Sequence, residues 1–217
     1  MKKIIIVVFL TFGLNIFAQE KLTEGSITMQ ITMSSENEQV NASLQAVGEL
    51  KPITYFKGKK SRTEMNNPMA GETISIVDNA AKQMLVLMNN PVLGKKYIKK
   101  STEISDKELK NVIVTATGKT KSFLGYLCKG YDVIIKNDGS EMKMTMYTTD
   151  KISAPSKDVS TLGDKVEGFP MYLEMSISQE PVIKTTAEVT EVKSEKVDDS
   201  IFKMIIPEGY TEMATGN

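Results

Sequence analysis

The chain contains no histidine and no tryptophan, and one cysteine in 217 residues. Without histidine, the common zinc sites lose most of their ligands, and neither His-dependent nucleophilic triad can be assembled. A lone cysteine closes no intramolecular disulfide, so an apolar core has to hold the fold together. Cys128 lies in Leu124-Gly125-Tyr126-Leu127-Cys128-Lys129-Gly130-Tyr131. There it reads as a small buried hydrophobe, with a reactive thiol or an intermolecular disulfide as alternatives. A nucleophile role is weak because the chain has no imidazole to serve as its base. An excess of either charge is missing too, since 27 Lys plus Arg face 27 Asp plus Glu. That balance argues against nucleic acid as a partner, because displacing counterions from phosphates takes a surplus of cations.

Catalytic and cofactor motifs are equally scarce. Gly118-Lys119-Thr120 copies the end of a phosphate-binding loop, but the glycine required at its start is replaced by Ile113, and the tripeptide reads as a turn between strands. Asp78, Asp138 and Asp164 stand singly at turns, without the alternating oxygen ligands of a calcium loop. Glu141, Glu167 and Glu174 lie among strand candidates. A pair of acids can hydrolyse a glycoside, but solvated strand partners are the plainer reading. No catalytic residue, metal site or cofactor is expected, and the chain is not expected to be an enzyme.

What is present begins with residues 1–18. Lys2 and Lys3 precede an apolar run from Ile4 to Leu10 that continues loosely to Phe17, and Ala18 supplies a small residue before Gln19. This is the pattern of a cleaved export leader and predicts a periplasmic or secreted protein. As an anchor the run is shorter than the roughly 20 residues that span a bilayer, and Thr11, Gly13 and Asn15 interrupt it. No cysteine stands at the cleavage point to carry a lipid, so no stable membrane anchor is expected after processing. Residues 19–217 suit one β-rich domain.

Within that domain Ile27, Met29, Ile31 and Met33 alternate with polar residues, the period of a half-buried strand. Further strand candidates are Leu44–Leu50, Ile53–Lys57, Lys60–Met65, Thr73–Asp78, Gln83–Met88 and Lys95–Lys99. Asn66-Asn67-Pro68, Asp78-Asn79 and Asn89-Asn90-Pro91 punctuate them as turns. Tyr131–Ile135 and Met142–Tyr147 flank Asp138-Gly139, the clearest hairpin signal. Phe169–Ile177, Val182–Val192 and a closing run Ile201–Ile206 follow. Helix signals are confined to Thr102–Val112 and short turns at Ser156–Leu162 and Asp198–Ser200. The pattern predicts a mainly β fold, a curved antiparallel sheet or half-open barrel with a few short helices, or alternatively a β-sandwich.

Fourteen methionines are the compositional feature that leans toward binding, because unbranched thioether side chains line adaptable apolar surfaces. Met142, Met144 and Met146 share one strand face and can pack against Val133 and Ile135 across the hairpin. With Ile31 and Met33 these form the predicted ligand-cavity wall, against the plainer reading that each methionine fills a solid core. The lysines at 95, 96, 99 and 100 have acidic company in Glu103, Asp106 and Glu108. They read as a solvated face rather than an anionic-lipid contact.

Leu124-Gly125-Tyr126-Leu127-Cys128-Lys129-Gly130-Tyr131-Asp132-Val133, the charged and Met-containing hairpin, and Phe202-Lys203-Met204-Ile205-Ile206-Pro207-Glu208-Gly209-Tyr210 together resemble the DUF4412 family of exported bacterial proteins. More distantly, the layout is similar to the periplasmic lipoprotein carrier and receptor proteins (LolA/LolB-like). In those, a curved antiparallel sheet, closed on one side by helices, holds acyl chains. The receptor's lipid-bearing cysteine is absent here, and the helix signal is sparser. The resemblance implies a fold and a lipid or other apolar small molecule as ligand, and no catalytic residue. The alternative is a structural or protein-interaction domain with a solid core, whose sheet edge receives a strand of an envelope protein. An enzyme acting on envelope glycans ranks third.

Overall fold

Period-two patterning and short turns carry over into strands throughout the computed structural model, which describes residues 20–137 and 139–213. The predicted leader, residues 1–18, lies outside the described residues, as does Asp138 of the predicted Asp-Gly turn. The strands among the described residues are β1 (Glu24–Ser35), β2 (Ile53–Lys57), β3 (Lys60–Asn67), β4 (Gly71–Asp78), β5 (Gln83–Asn90), β6 (Gly94–Ser101), β7 (Val112–Phe123), β8 (Tyr126–Asn137), β9 (Ser140–Thr149), β10 (Phe169–Ile177), β11 (Ile183–Lys193) and β12 (Thr211–Glu212).

All twelve belong to one sheet, in the order β12-β6-β5-β4-β3-β2-β1-β11-β10-β9-β8-β7. Two meanders, β2 to β6 and β7 to β11, extend as wings from β1, which pairs antiparallel with β2 on one side and β11 on the other. The sheet is mixed rather than wholly antiparallel, because β12 runs parallel to β6. It is not closed into a barrel, and it is one continuous sheet rather than the two stacked sheets of a sandwich.

Two segments cover the sheet. The connection from β9 to β10 carries α3 (Lys157–Ser160) and a 3-10 turn (Gly163–Lys165). It lays Leu162 and Val166 onto Val112, Val133, Met144, Met146, Leu173 and Ala187, an apolar cluster buried on the inner face of the β7–β11 wing. The Lys165 ammonium pins the connection by donating to the carbonyls of Leu109 and Val112 at 2.8 and 2.5 Å. A second cluster joins Ile27, Phe56, Tyr147, Phe169, Met171 and Val189 to Ile152 and Ala154 of the same connection.

The C-terminal segment lies against the other wing. A 3-10 turn, Asp199–Phe202, sits on β3 and β4, and Phe202 is buried. Lys57 holds Asp199 at 3.0 Å, and the Arg62 guanidinium donates to the Ile201 carbonyl at 3.3 Å. The predicted closing strand Ile201–Ile206 is therefore a 3-10 turn followed by irregular chain. Phe202 is buried on the sheet and Ile201 and Met204 are half-buried, whereas Ile205 and Ile206 are exposed, so only the first part of the run serves as a cover.

Leu44–Leu50 is also not a strand. Glu38–Val47 is a helix, α1, packed on β1. Its half-buried Val40, Leu44 and Val47 recur at helical spacing, the Asn37 side chain caps the first turn, and Gly48 at φ 73° ends it. The predicted helix Thr102–Val112 contracts to α2 (Asp106–Lys110), opened by a reciprocal capping box between Ser105 and Glu108. Val112 already belongs to β7. Gly118-Lys119-Thr120 lies inside β7, at a shift in register between Ala116 and Thr120, and is not a turn between strands.

Candidate functional site

The two wings face each other across a groove. A cavity of about 310 Å³ is lined on one side by Thr54, Ser61, Thr63, Thr73 and Ser75, and on the other by Met29, Ile31, Leu173, Met175 and Ala187. The register makes each wall a continuous surface. Thr54 opposes Thr63 and Thr63 opposes Ser75, while Ala187 opposes both Ile31 and Leu173. The hydroxyls of Thr54 and Thr63 lie 2.9 Å apart and bond to each other. One wall is thus rich in small hydroxyls, with Met65 and Val77 at its ends, and the other is thioether and aliphatic. Pro155–Asp158, Phe169 and Pro170 also line the cavity.

A second cavity of about 620 Å³ adjoins the first, sharing Val77 and Lys157 with it. Val77, Met84, Val86 and Ile98 line it from β4, β5 and β6, and Val112 and Ile135 from the far wing. Thr102–Ile104, Glu108 and Asn111 contribute from the segment linking β6 to β7. The first cavity is lined by the central strands and the second by β4, β5 and β6 together with β7 and β8 from the other end of the strand order, so the sheet curls until its two wings share the second cavity.

The seven residues predicted as a cavity wall lie on β1, β8 and β9, with β11 and β10 between them, and five of the seven, Met33, Val133, Met142, Met144 and Met146, line neither of these cavities. Val133 opposes Met144, Ile135 opposes Met142, and Met33 opposes Thr185. Ile31 lines the first cavity and Ile135 the second. Val133, Met144 and Met146 are buried beneath Leu162 and Val166, whereas Met33 and Met142 are half-buried. The hydroxyl-rich wall on β2 to β4 is not among the predicted residues. Its signal was legible as Ser61-x-Thr63 and Thr73-x-Ser75, small hydroxyls at alternate positions of neighbouring strands, where apolar side chains were expected.

Asp158 lines the cavity and makes no side-chain hydrogen bond or ion pair among the described residues. Burial lifts its carboxyl above the ordinary value of 3.8, with the charge of the neighbouring Lys157 opposing the shift. In the window between the unfolded and folded pKa values the native state binds a proton that the unfolded chain has released, so stability falls as pH rises from about 4. Asp158→Asn removes that charge. It is expected to raise the melting temperature at about pH 7 and to have no effect at about pH 3, where both carboxyls are protonated. A melting temperature at neutral pH equal to or below that of the parent would refute this account.

Cys128 is fully buried, and burial pushes its thiol up to about 11, so it remains protonated at neutral pH and packs as an apolar group. Among the described residues no group of three or more Cys, Asp or Glu side chains converges in a way that could hold a metal ion. No described helix is long and apolar enough to cross a membrane.

Solved structures show distant likeness in fold. PNGF-II is 15% identical with a TM-score of 0.44 over 87% of this chain, which spans 31% of the PNGF-II chain. The Mycobacterium tuberculosis lipoprotein LppX is 12% identical, with a TM-score of 0.34 over 81% of this chain and 89% of its own. A LolA superfamily protein from Nitrosomonas europaea is 9% identical, with a TM-score of 0.39 over 86% of this chain and 91% of its own. No curated protein matches the chain. The family model described as a domain of unknown function, DUF4412, matches residues 23–210, so the chain belongs to the DUF4412 family.

Proposed function

We propose that this is a non-enzymatic protein of the cell envelope, periplasmic or secreted, that shelters the apolar part of a lipid or similar small molecule in the groove. The observation that carries this reading is the pair of adjoining cavities, about 310 and 620 Å³, between two wings of an unclosed sheet. Small-molecule sites commonly occupy about 300–1,000 Å³. Met29, Met175 and Met84 line them with side chains that adapt to an irregular guest. Each methylene moved from water into such a wall contributes about 0.8 kcal/mol. Ten methylenes give roughly 8 kcal/mol before ordering costs, on the scale of micromolar affinity, with no catalytic group required. The hydroxyl wall suits a guest that carries polar groups along one edge.

A reading as a protein-interaction domain draws support from β7, whose outer edge has no strand partner among the described residues. That edge carries Lys119 and Lys121 and is distorted by the register shift after Ala116. Both features discourage the addition of a strand. Both features favour the groove over the sheet edge as the site.

Native mass spectrometry of the processed protein, purified from its own envelope without denaturation and followed by solvent extraction, tests the proposal. A stoichiometric apolar adduct is expected. A ligand-free mass, together with no uptake from a mixture of lipids, would sink it.

A further inference from the structure

The turn signals at Asn66-Asn67-Pro68 and Asn89-Asn90-Pro91 are halves of a repeated loop. Asn67-Pro68-Met69-Ala70-Gly71 joins β3 to β4, and Asn90-Pro91-Val92-Leu93-Gly94 joins β5 to β6. In each, the asparagine side chain accepts hydrogen bonds from the backbone amides two and three residues on, at 2.8 and 2.9 Å in the first loop and 2.8 and 2.8 Å in the second. In each, a glycine at φ 80° or 72° returns the chain to the sheet. The loops are joined to one another as well. Asn90 donates to the Ala70 carbonyl at 3.0 Å, and Gly71 lies so close to the Asn89 carbonyl that a Cβ there would sit 2.0 Å from the oxygen.

These bonds hold apolar side chains in water. Met69 is 66% exposed, Val92 87% and Leu93 60%, all at one end of the β3–β6 hairpins. Exposing apolar groups singly is ordinary. Exposing three on two loops braced against movement marks a surface that meets something. Lys95 and Lys96 follow directly, and the Lys95 ammonium lies 5.9 Å from the centroid of the Tyr210 ring. The acids nearby are Glu72, cross-strand from Asn89, and Glu208 and Glu212, which flank Tyr210 in the chain. An apolar tip, an amphipathic tyrosine and lysines one step behind it match the layering of acyl chain, interface and anionic headgroup. The two tips lie side by side at one end of the hairpins, with their apolar side chains in water, an arrangement suited to entering a yielding bilayer.

We propose that the twin loops dock the protein on the surface of an anionic lipid bilayer, with Met69, Val92 and Leu93 inserted among the lipids. The Met65–Thr73 rung, which lines the first cavity, lies two residues in from the first loop, so docking brings the groove beside the membrane. Docking does not require the groove to hold a ligand, so the two proposals can fail separately.

Co-sedimentation of the processed protein with vesicles of phosphatidylglycerol and phosphatidylethanolamine tests the docking. The protein is expected to bind these vesicles and to bind phosphatidylcholine vesicles more weakly. The combined variant Met69→Asp, Val92→Asp and Leu93→Asp is expected to lose about tenfold or more of the binding. It should melt as the parent does, because the three side chains are exposed. Leu127→Asp, at the β7–β8 hairpin and 66% exposed, is expected to bind as the parent does. Absence of vesicle binding, equal binding to phosphatidylcholine, undiminished binding by the combined variant, or loss in Leu127→Asp instead would each overturn the proposal. So would a dimer that the combined variant abolishes in a protein that ignores vesicles.

Discussion

Ser75→Trp is expected to abolish ligand loading while the fold survives. Ser75 stands in the middle of β4, half-buried, between Thr63 on β3 and Val86 on β5, and lines the cavity of about 310 Å³. An indole placed there projects into space no protein atom occupies, so it fills the groove in place of the guest. Overpacking a filled core costs about 1–3 kcal/mol, and the cost should sit at the low end where a cavity receives the added bulk. Ser75→Ala removes the hydroxyl and keeps the space, and it is expected to load almost as the parent does. The measurement is the native mass of each variant purified from its own envelope, with the melting temperature as a control for folding. A tryptophan variant that still carries a stoichiometric adduct would place the ligand elsewhere or remove it from the account.

A methionine in the covered core and one bordering the groove should respond very differently to truncation. Met146 has 0% of its surface exposed and packs in the cluster covered by Leu162 and Val166. Met146→Ala is therefore expected to cost about 2–5 kcal/mol, the loss of buried surface plus the cavity left behind. In a chain of this size each kcal/mol moves the melting temperature by about 2–4 °C, so the variant should melt visibly early. Met65 is half-buried and borders the first cavity, so truncation enlarges an existing space rather than opening a new one. Met65→Ala is expected to cost about 1 kcal/mol or less. Chemical denaturation of both variants gives the comparison. Equal losses would mean that the space between the wings is packed as tightly as the core, and the groove would then shelter nothing.

Much of the sheet was readable before any coordinates, because strands with one face toward a core and one toward water write a period of two into the chain. Ile53–Lys57, Lys60–Asn67, Gly71–Asp78 and Gln83–Asn90 emerge almost at their predicted bounds, since Gly58, Asp78-Asn79 and the Asn-Pro turns force reversals. The readings failed where a short apolar run fits two structures. Leu44, Val47 and Leu50 read as extended chain when taken alone. Val40 before them supplies the helical spacing, and Asn37 and Gly48 are the signals that open and close the helix. Ile201–Ile206 has the apolar, β-branched composition of a strand, yet its first two residues close a 3-10 turn that packs on β3 and β4, and Ile205 and Ile206 are exposed.

The chain's absences exclude histidine-based chemistry, its leader pattern predicts export, and its alternation dictates strands and locates most of their turns. Those properties are local, depending on a residue and its near neighbours. Strand order is not local. Ile27 pairs with Val192, and the Ile31–Ala187 rung closes the loop that sets the two wings facing each other. Nothing in a period of two says which distant strand will lie alongside. Nor does it say which wing's inner face will be covered by the β9–β10 connection and which will be left open. That choice makes Met146 core and leaves Thr63 and Ser75 facing a cavity, although all three sit on the inner face of the same sheet. The physical reason is that burial of a strand face is settled by what packs on it, and here the covering segments arrive from far along the chain.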